Sequence, residues 1–209
     1  FLNKGFRIVL DKNNTVFNLF GNLLLKNNLY IYYNSDLYSN VNLSGFGFHN
    51  NWVALQIGKG REVWGAGNDI NLALSDNANP YNYFMLSSDY GKIRVNYIHG
   101  FLENKDGKSN RYINARGIEW TNKSSLVIGL SETIIYSGNN RPMDFGYLNP
   151  LSTHLEIELN NRLSTIGDSS SNAVWQLHID WLVKKQSRIS INYLIDEFVF
   201  DPNIEIGKE

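Results

Sequence analysis

Apolar and polar residues alternate with a period of two along much of this sequence, and no other feature restricts the fold as strongly. The clearest run is 173–184. Its apolar parity holds Ala173, Trp175, Leu177, Ile179, Trp181 and Val183, and its polar parity holds Gln176, His178, Asp180 and Lys184. Similar alternation covers 154–163 and 189–196. Since successive side chains of a β-strand point to opposite sides, each run predicts a strand with one apolar face.

Strands of this kind are predicted near 6–10, 16–25, 29–38, 52–58, 83–89, 92–103, 112–120, 126–136, 154–163, 173–184 and 189–196. Polar, glycine-bearing stretches separate the last three, which predicts an antiparallel meander of hairpins. Many runs approach the ~9–11 residues that a tilted membrane strand needs, whereas strands of soluble sandwiches usually have about 5–6. The expected fold is therefore all-β, an antiparallel meander forming part of a transmembrane outer-membrane β-barrel. A soluble β-sandwich, whose strands also alternate, is the alternative.

The composition narrows the classes of function. The 209-residue chain has a formal net charge of -1 without a strong cluster of Lys and Arg, so we expect no nucleic acid as a partner. Cysteine is absent, which excludes disulfides, thiolate metal sites and cysteine nucleophiles. No apolar run reaches the ~18 residues of a membrane-spanning helix. We expect one β-barrel domain over 1–209 that lacks N-terminal and C-terminal portions, because the chain begins at Phe1 without Met and ends in a strand-like stretch.

The densest motif is the glycine-rich stretch 58–69, GKGREVWGAGND. It matches neither a P-loop nor a dinucleotide fingerprint, so sharp bends or close packing of the chain explain its glycines better than phosphate binding. An arginine inside a barrel needs an acidic partner to offset its desolvation. We expect Arg61 to point inward and to pair with Asp69 or with a carboxylate from another strand. Glu62 is a poorer partner, because neighbouring residues of a regular strand point to opposite faces.

Other polar residues have ordinary explanations. His154 and His178 are predicted on polar faces of neighbouring strands, where hydrogen bonding is a simpler role than metal binding. Paired carboxylates admit a glycosidase hypothesis, but nearby cations and water would keep them ionised, which favours a structural role; the pairs are Glu156 with Glu158, and Asp180 with Asp196 and Glu197. No Gly-x-Ser-x-Gly motif is present. We therefore expect no catalytic residues, no metal and no cofactor.

Five stretches resemble the capsule assembly protein Wzi family. They are 60–67 (GREVWGAG), 71–80 (NLALSDNANP), 91–103 (GKIRVNYIHGFLE), 143–150 (MDFGYLNP) and 193–198 (YLIDEF), in that order along the chain. The resemblance implies an outer-membrane barrel that holds capsular or exported polysaccharide at the cell surface, without catalysis. Full members of the family carry more strands than this chain supplies and a helical periplasmic part. The resemblance gives no sugar site residue by residue.

The sequence therefore predicts a protein of the bacterial outer membrane that assists capsular or extracellular polysaccharide assembly and attachment. Its partners would be that polysaccharide and the outer-membrane lipid. Candidate polysaccharide-binding or polar lumen residues are Arg61, Glu62, Trp64, Asp69, Arg94 and His99. Aromatic rings would stack on apolar sugar faces, while charges and amides would bind hydroxyl or carboxylate groups. The alternatives are a passive porin-like channel and a barrel-embedded glycan or lipid hydrolase.

Overall fold

The computed structural model of the protein describes residues 2–11, 14–26, 28–36, 42–67, 72–75, 77–102, 109–159, 169–184 and 186–196. Its strands are β1 Leu2–Asp11, β2 Asn14–Lys26, β3 Leu29–Asp36, β4 Asn42–His49, β5 Val53–Gly60, β6 Tyr81–Asp89, β7 Ile93–Leu102, β8 Ser109–Thr121, β9 Leu126–Asn139, β10 Ser169–Lys184 and β11 Ser187–Ile195. Two short helices, α1 Phe145–Leu148 and α2 His154–Leu159, lie between β9 and β10.

These eleven described strands form one sheet in which every strand pairs with its neighbours in chain order. Every pairing is antiparallel, so the predicted all-β antiparallel meander is confirmed. The strands β8, β9 and β10 have 13, 14 and 16 residues, which is long for a soluble sheet. Within the described ranges no pairing joins the edge strands β1 and β11. None of the helices described is long and apolar enough to cross a bilayer.

Two predictions of strands need correction. The predicted strand at 154–163 is wrong where it is described, because 154–159 form α2. The Thr153 hydroxyl accepts a hydrogen bond from the backbone N–H of Glu156 at 3.2 Å, which caps the helix at its first turn. Residues 160–163 lie outside the described ranges. In addition, β4 was not predicted, since Gly45 and Gly47 interrupt its apolar pattern.

The connections differ between the two ends of the sheet. At one end the turns are short: 27–28, 50–52, 90–92, 122–125 and 185–186. Asx side chains organise three of them, and in each the carboxyl or amide oxygen accepts backbone N–H groups, as Asn122 does from Ser124 and Ser125 at 3.0 and 2.8 Å. At the other end the connections are 12–13, 37–41, 61–80, 103–108 and 140–168. We call these the short-turn end and the long-connection end.

The connection 61–80, called the inner segment, requires the sheet to curve. Its Ala66 bonds to Asn192 of β11, six strands away from β5. On a flat sheet that separation would be about 29 Å, whereas six residues cover about 20 Å when fully extended. The chain also bends at Gly65 and Gly67, whose φ angles are 136° and 85°, so it is not extended. The sheet therefore curls around the inner segment; we call this concave side the inner face and the opposite side the outer face.

Burial on β10 is the reverse of that on a strand of a soluble sheet. On β10, the inner-face residues Gln176 and His178 are buried, with exposed fractions of 0% and 3%, whereas Leu177 is 39% exposed on the outer face. Outer-face apolar residues are exposed on β3–β5 and β7–β11, and we call them the apolar belt; they include Ile31, Ile57, Val95, Ile118, Leu130, Leu177 and Ile191. The assignment of the two parities of β10 to opposite faces is as predicted. The structure shows in addition that the polar side of β10 is the buried one.

One part of the outer face is covered by the chain itself. Residues 140–159, called the cover segment, contain α1 and α2 and lie over β7, β8 and β9. Tyr147 and Ile157 of this segment form a buried cluster with outer-face residues of the strands, namely Tyr112, Ile134 and Tyr136. The ring centroids of Tyr147 and Tyr136 are 4.5 Å apart in a stacked arrangement. The cover segment thus shields this patch of the outer face from its surroundings.

Candidate functional site

Two side-chain amides hold the inner segment against the inner face. The Asn192 amide accepts from the backbone N–H of Ala66 at 2.8 Å and donates to the carbonyl of the same residue at 2.7 Å. The Gln176 amide accepts from the N–H of Ala73 at 3.1 Å and donates to the carbonyl of Trp64 at 3.3 Å. Each amide therefore satisfies one backbone donor and one backbone acceptor, as a neighbouring strand would. A non-glycine residue at 65 would lack space, because its Cβ would lie 2.8 Å from the Gln176 amide.

Glu62 lies at the start of the inner segment and ends a chain of hydrogen bonds. The Tyr83 hydroxyl donates to the Glu62 carboxylate at 2.9 Å and accepts from the amide of Gln56. The amide oxygen of Gln56 in turn accepts from the Tyr30 hydroxyl at 2.7 Å. Burial raises the pKa of the Glu62 carboxyl, and the hydrogen bond from Tyr83 opposes that rise. The predicted residue Glu62 is thus built into the inner face.

Tyrosine rings lie across glycines of the neighbouring strands on the same face. A Cβ at Gly47 would collide with the ring of Tyr30, and a Cβ at Gly45 or Gly58 would lie 2.7 Å from the Tyr32 hydroxyl oxygen. Because these positions of β4 and β5 are glycines, the two tyrosines can lie close to the sheet. Both tyrosines are only partly buried.

Tyr81 and Tyr83 extend this aromatic surface onto β6, with ring centroids 5.7 Å apart. They also approach glycines: a Cβ at Gly60 or Gly100 would lie 2.7 Å from a ring carbon of Tyr83 or Tyr81, respectively. Both residues are buried. We call the four residues the tyrosine wall: Tyr30, Tyr32, Tyr81 and Tyr83.

The predicted residue Arg94 belongs to another polar cluster of the inner face, near the short-turn end. Its Nε lies 3.6 Å from a carboxylate oxygen of Glu119. The other carboxylate oxygen of Glu119 lies 3.1 Å from Nε2 of His178. Gly129 leaves room for the His178 ring, with which any Cβ at that position would collide. Arg94 and Glu62 thus share the inner face but contact different partners.

Arg61 and Trp64 have different surroundings from each other. The Arg61 guanidinium donates to the carbonyl of Ala78 at 3.4 Å, within the inner segment. Its predicted partner Asp69 lies outside the described residues, so a carboxylate contact at that position stays a prediction. The indole of Trp64 packs over Gly117 of β8, where an added Cβ would lie 3.4 Å from the ring. Trp64 therefore lies on the inner face.

His99 is not with the other candidates, and its predicted place among them is wrong. It lies on the outer face, buried beneath the cover segment. Its Nε2 is 2.8 Å from the Tyr136 hydroxyl, and its Nδ1 is 3.3 Å from the Tyr97 hydroxyl. His99 and Arg94 lie on opposite faces of β7, as odd and even positions of one strand must, but no local motif indicates that 140–159 folds over the His99 side.

An ion pair lies under the same cover. Nε of Arg116 is 3.1 Å from a carboxylate oxygen of Glu132, and both side chains are buried. The Arg116 guanidinium also donates to the carbonyl of Asn149 at 3.1 Å and to the side-chain oxygen of Asn114 at 2.6 Å. The Glu132 carboxylate accepts from the backbone N–H of His154 at 3.0 Å. Charges that point outward from the sheet are thus bonded to the cover segment.

Of the carboxylates considered for hydrolysis, Glu156 and Asp180 lie on opposite faces, and Glu197 lies outside the described residues. Glu156 is exposed on the cover segment over the outer face, whereas Asp180 lies on the inner face and accepts from Arg188 Nε at 2.6 Å. His154 and His178 also lie on opposite faces, which corrects their predicted place on polar faces of neighbouring strands. Across the described ranges no group of three or more His, Asp or Glu side chains is arranged to hold a metal ion.

Sequence reasoning missed the tyrosine wall and the two amide anchors. A signal for the wall was present, because Tyr30 and Tyr32 share a parity that the register places beside Gly47 and Gly45. No comparable signal existed for Gln176 and Asn192, which bond to residues more than one hundred positions away.

Comparison with known proteins does not assign this arrangement to a family. No family model matches the sequence, and no curated protein sequence matches it significantly.

Proposed function

We propose that this protein is an outer-membrane β-barrel that assists the assembly and attachment of capsular or extracellular polysaccharide at the bacterial cell surface. The observation that supports the membrane part is the exposed apolar belt of the outer face, opposite buried inner-face polar residues such as Gln176 and His178. A soluble sandwich buries its apolar parity instead. Exposed apolar surface of this extent is unstable in water and stable in lipid.

Two further features support this placement. The short-turn and long-connection ends match the short periplasmic turns and longer extracellular loops of outer-membrane barrels. The cover segment also presents apolar side chains beside the belt, with Phe145 and Leu151 exposed by 83% and 86%. In lipid or at its interface these side chains would be favourably buried.

The polysaccharide part rests on the resemblance of five ordered stretches to the Wzi family and on the chemistry of the inner face. Aromatic rings, side-chain amides and carboxylates occur together there, as in Tyr32, Gln56 and Glu62. Such groups suit ligands that combine apolar ring faces with many hydroxyl groups.

The lipid-facing assignment is tested with neighbouring residues of β11. Ile191 is 49% exposed on the outer face, midway along the edge strand β11, whereas Ser190 lies on the inner face beside Asp180. Ile191→Arg should impair membrane assembly by about 2–4 kcal/mol, because it places a charge in the hydrocarbon. Ser190→Arg should be tolerated, since Ser190 is exposed on the inner face and a charge there stays out of the hydrocarbon. Folded protein in outer-membrane fractions is the measurement, and equal loss in both variants would contradict the assignment.

The polysaccharide assignment is tested by deleting the gene for the full-length protein. Polysaccharide should move from the cells into the medium, while the total amount produced remains unchanged. Unaltered cell-attached polysaccharide in the deletion strain would refute this part of the proposal and leave the membrane placement untouched.

A passive channel is the second candidate, because the inner face is polar and curved. The inner segment occupies part of that space, held by Gln176 and Asn192. Conductance of the purified protein in planar bilayers distinguishes the two: a steady open-pore current without effect of the deletion on polysaccharide would favour the channel.

A further inference from the structure

We infer that the tyrosine wall is the saccharide-binding surface of this protein and that it accepts neutral pyranose rings. This inference rests on the proposed function and names the residues and the sugar class for it. Its basis is the packing of tyrosine rings over glycines on β4 and β5, which leaves a broad aromatic surface on the inner face.

The wall is preorganised. Gly45, Gly47 and Gly58 leave the space that the rings of Tyr30 and Tyr32 occupy, and the Tyr30 hydroxyl is fixed by Gln56 at 2.7 Å. The Tyr32 hydroxyl donates to the carbonyl of Lys59 at 3.3 Å. A ring held in this way loses little rotational freedom when a ligand binds, so a larger part of the contact energy appears as affinity.

The wall is also accessible in part. Tyr81 and Tyr83 are buried, but Tyr30 and Tyr32 of β3 are only partly so. A sugar ring can therefore contact the two tyrosines of β3 while the inner segment stays in place.

The polar groups beside the wall set the sugar class. A charged side chain in hydrogen-bond contact with it is the carboxylate of Glu62, which accepts from Tyr83. Gln56 supplies an amide between Tyr30 and Tyr83. A carboxylate and an amide bind hydroxyl groups well, whereas a carboxylate repels a uronic acid. Neutral pyranose units fit this surface, and acidic units do not.

The test compares tyrosines on the two faces of β3. In a deletion strain carrying the full-length protein, Tyr30→Ala combined with Tyr32→Ala should release polysaccharide into the medium as the deletion does. Tyr33→Ala is the matched control, because Tyr33 lies on the same strand but is exposed on the outer face. Gly47→Ala should give a partial release, since its Cβ displaces the Tyr30 ring without removing it. The amount of folded protein in the outer membrane is measured for every variant.

The outcomes separate the two proposals. If the deletion itself leaves cell-attached polysaccharide unchanged, the proposed function fails. If the deletion releases polysaccharide but a folded double variant retains it like the Tyr33 control, the wall is not the binding surface and this inference fails. If the double variant does not fold, the comparison is made with Gly47→Ala and the single variants Tyr30→Ala and Tyr32→Ala. Retention of polysaccharide by these folded variants, as in the Tyr33 control, would then refute this inference.

The sugar class is tested on purified full-length protein in detergent, with immobilised polysaccharide from the producing cells as the probe. Each single tyrosine variant should bind it about tenfold more weakly, the usual scale for losing one aromatic stacking contact. Dextran should compete for binding and polygalacturonate should not. Competition by polygalacturonate, or by neither polymer, would overturn the assignment to neutral rings.

Discussion

At the scale of single residues, the most demanding arrangement is the outward-pointing ion pair of Arg116 and Glu132. Two buried charges are tolerated only when the pair and its remaining hydrogen bonds are complete. The cover segment supplies one hydrogen bond to each side chain, through the carbonyl of Asn149 and the N–H of His154. The pair therefore ties the cover segment to β8 and β9 through charge as well as through packing.

Removing one partner of this pair should be worse than removing both. Arg116→Met leaves the Glu132 carboxylate buried without its cation and should cost about 3–5 kcal/mol of unfolding free energy. Arg116→Met combined with Glu132→Leu should recover most of that loss, because an apolar pair of similar volume needs no compensation. Guanidinium unfolding of the folded protein in detergent micelles measures both. Equal losses in the single and double variants would contradict a role for the charge.

At the scale of elements, the inner segment is a long connection held by few polar anchors. Gln176 and Asn192 each bond two backbone groups of the segment, and Leu74 adds an apolar contact in the cluster around Tyr81 and Tyr83. Local opening of such an element costs less than global unfolding. The free energy of opening the inner segment should therefore depend on the two amides more than on the stability of the sheet as a whole.

Gln176→Ala together with Asn192→Ala should release the inner segment without unfolding the strands. The N–H groups of Ala66 and Ala73 lose their acceptors, so their hydrogen exchange should accelerate by about tenfold or more, for a loss of roughly 1–3 kcal/mol. The amides of β8 and β9 should exchange as before. Unchanged protection at Ala66 and Ala73 would show that other contacts hold the segment.

The elements also show how far sequence reasoning reaches. The alternation in 173–184 predicted β10 and its two faces, because a two-residue period is a property of the strand itself. The same period failed at 154–159, where the motif Thr153-x-x-Glu156 is a capping signature that indicates a helix start. The place of His99 could not be predicted, since it depends on a segment more than forty residues later in the chain folding over β7. Of the candidate site, Glu62 and Trp64 were named from their local motif. The tyrosine wall could not be named in this way, because it depends on the register of β3 against β4.

At the scale of the whole molecule, the asymmetry between the two ends defines a direction across the proposed membrane. If the long-connection end faces outward, Asn79, two residues before β6, lies on the outer side and residues in 122–125 lie on the inner side. The chain lacks cysteine, so single-cysteine variants report position without background labelling. Asn79 and Ser124 are exposed residues at opposite ends and suit this purpose.

Asn79→Cys should react with a membrane-impermeant maleimide added to intact cells, because its thiol would lie at the cell surface. Ser124→Cys should react only after the outer membrane is permeabilised. Labelling of both variants in lysed cells serves as the control for thiol reactivity. The opposite order of labelling would invert the orientation, and equal labelling in intact cells would argue against a membrane-spanning sheet.

The cover segment has a consequence for the timing of assembly. It follows β9 in the chain, yet it shields charges on β8 and β9 from whatever surrounds the outer face. If those strands entered the hydrocarbon while 140–159 were still undocked, Arg116 and Glu132 would meet lipid directly, at a cost of several kcal/mol. Docking of the cover therefore has to precede or accompany insertion of this part of the sheet. We expect the protein to enter the bilayer with β7–β9 and their cover as one preassembled unit, rather than strand by strand.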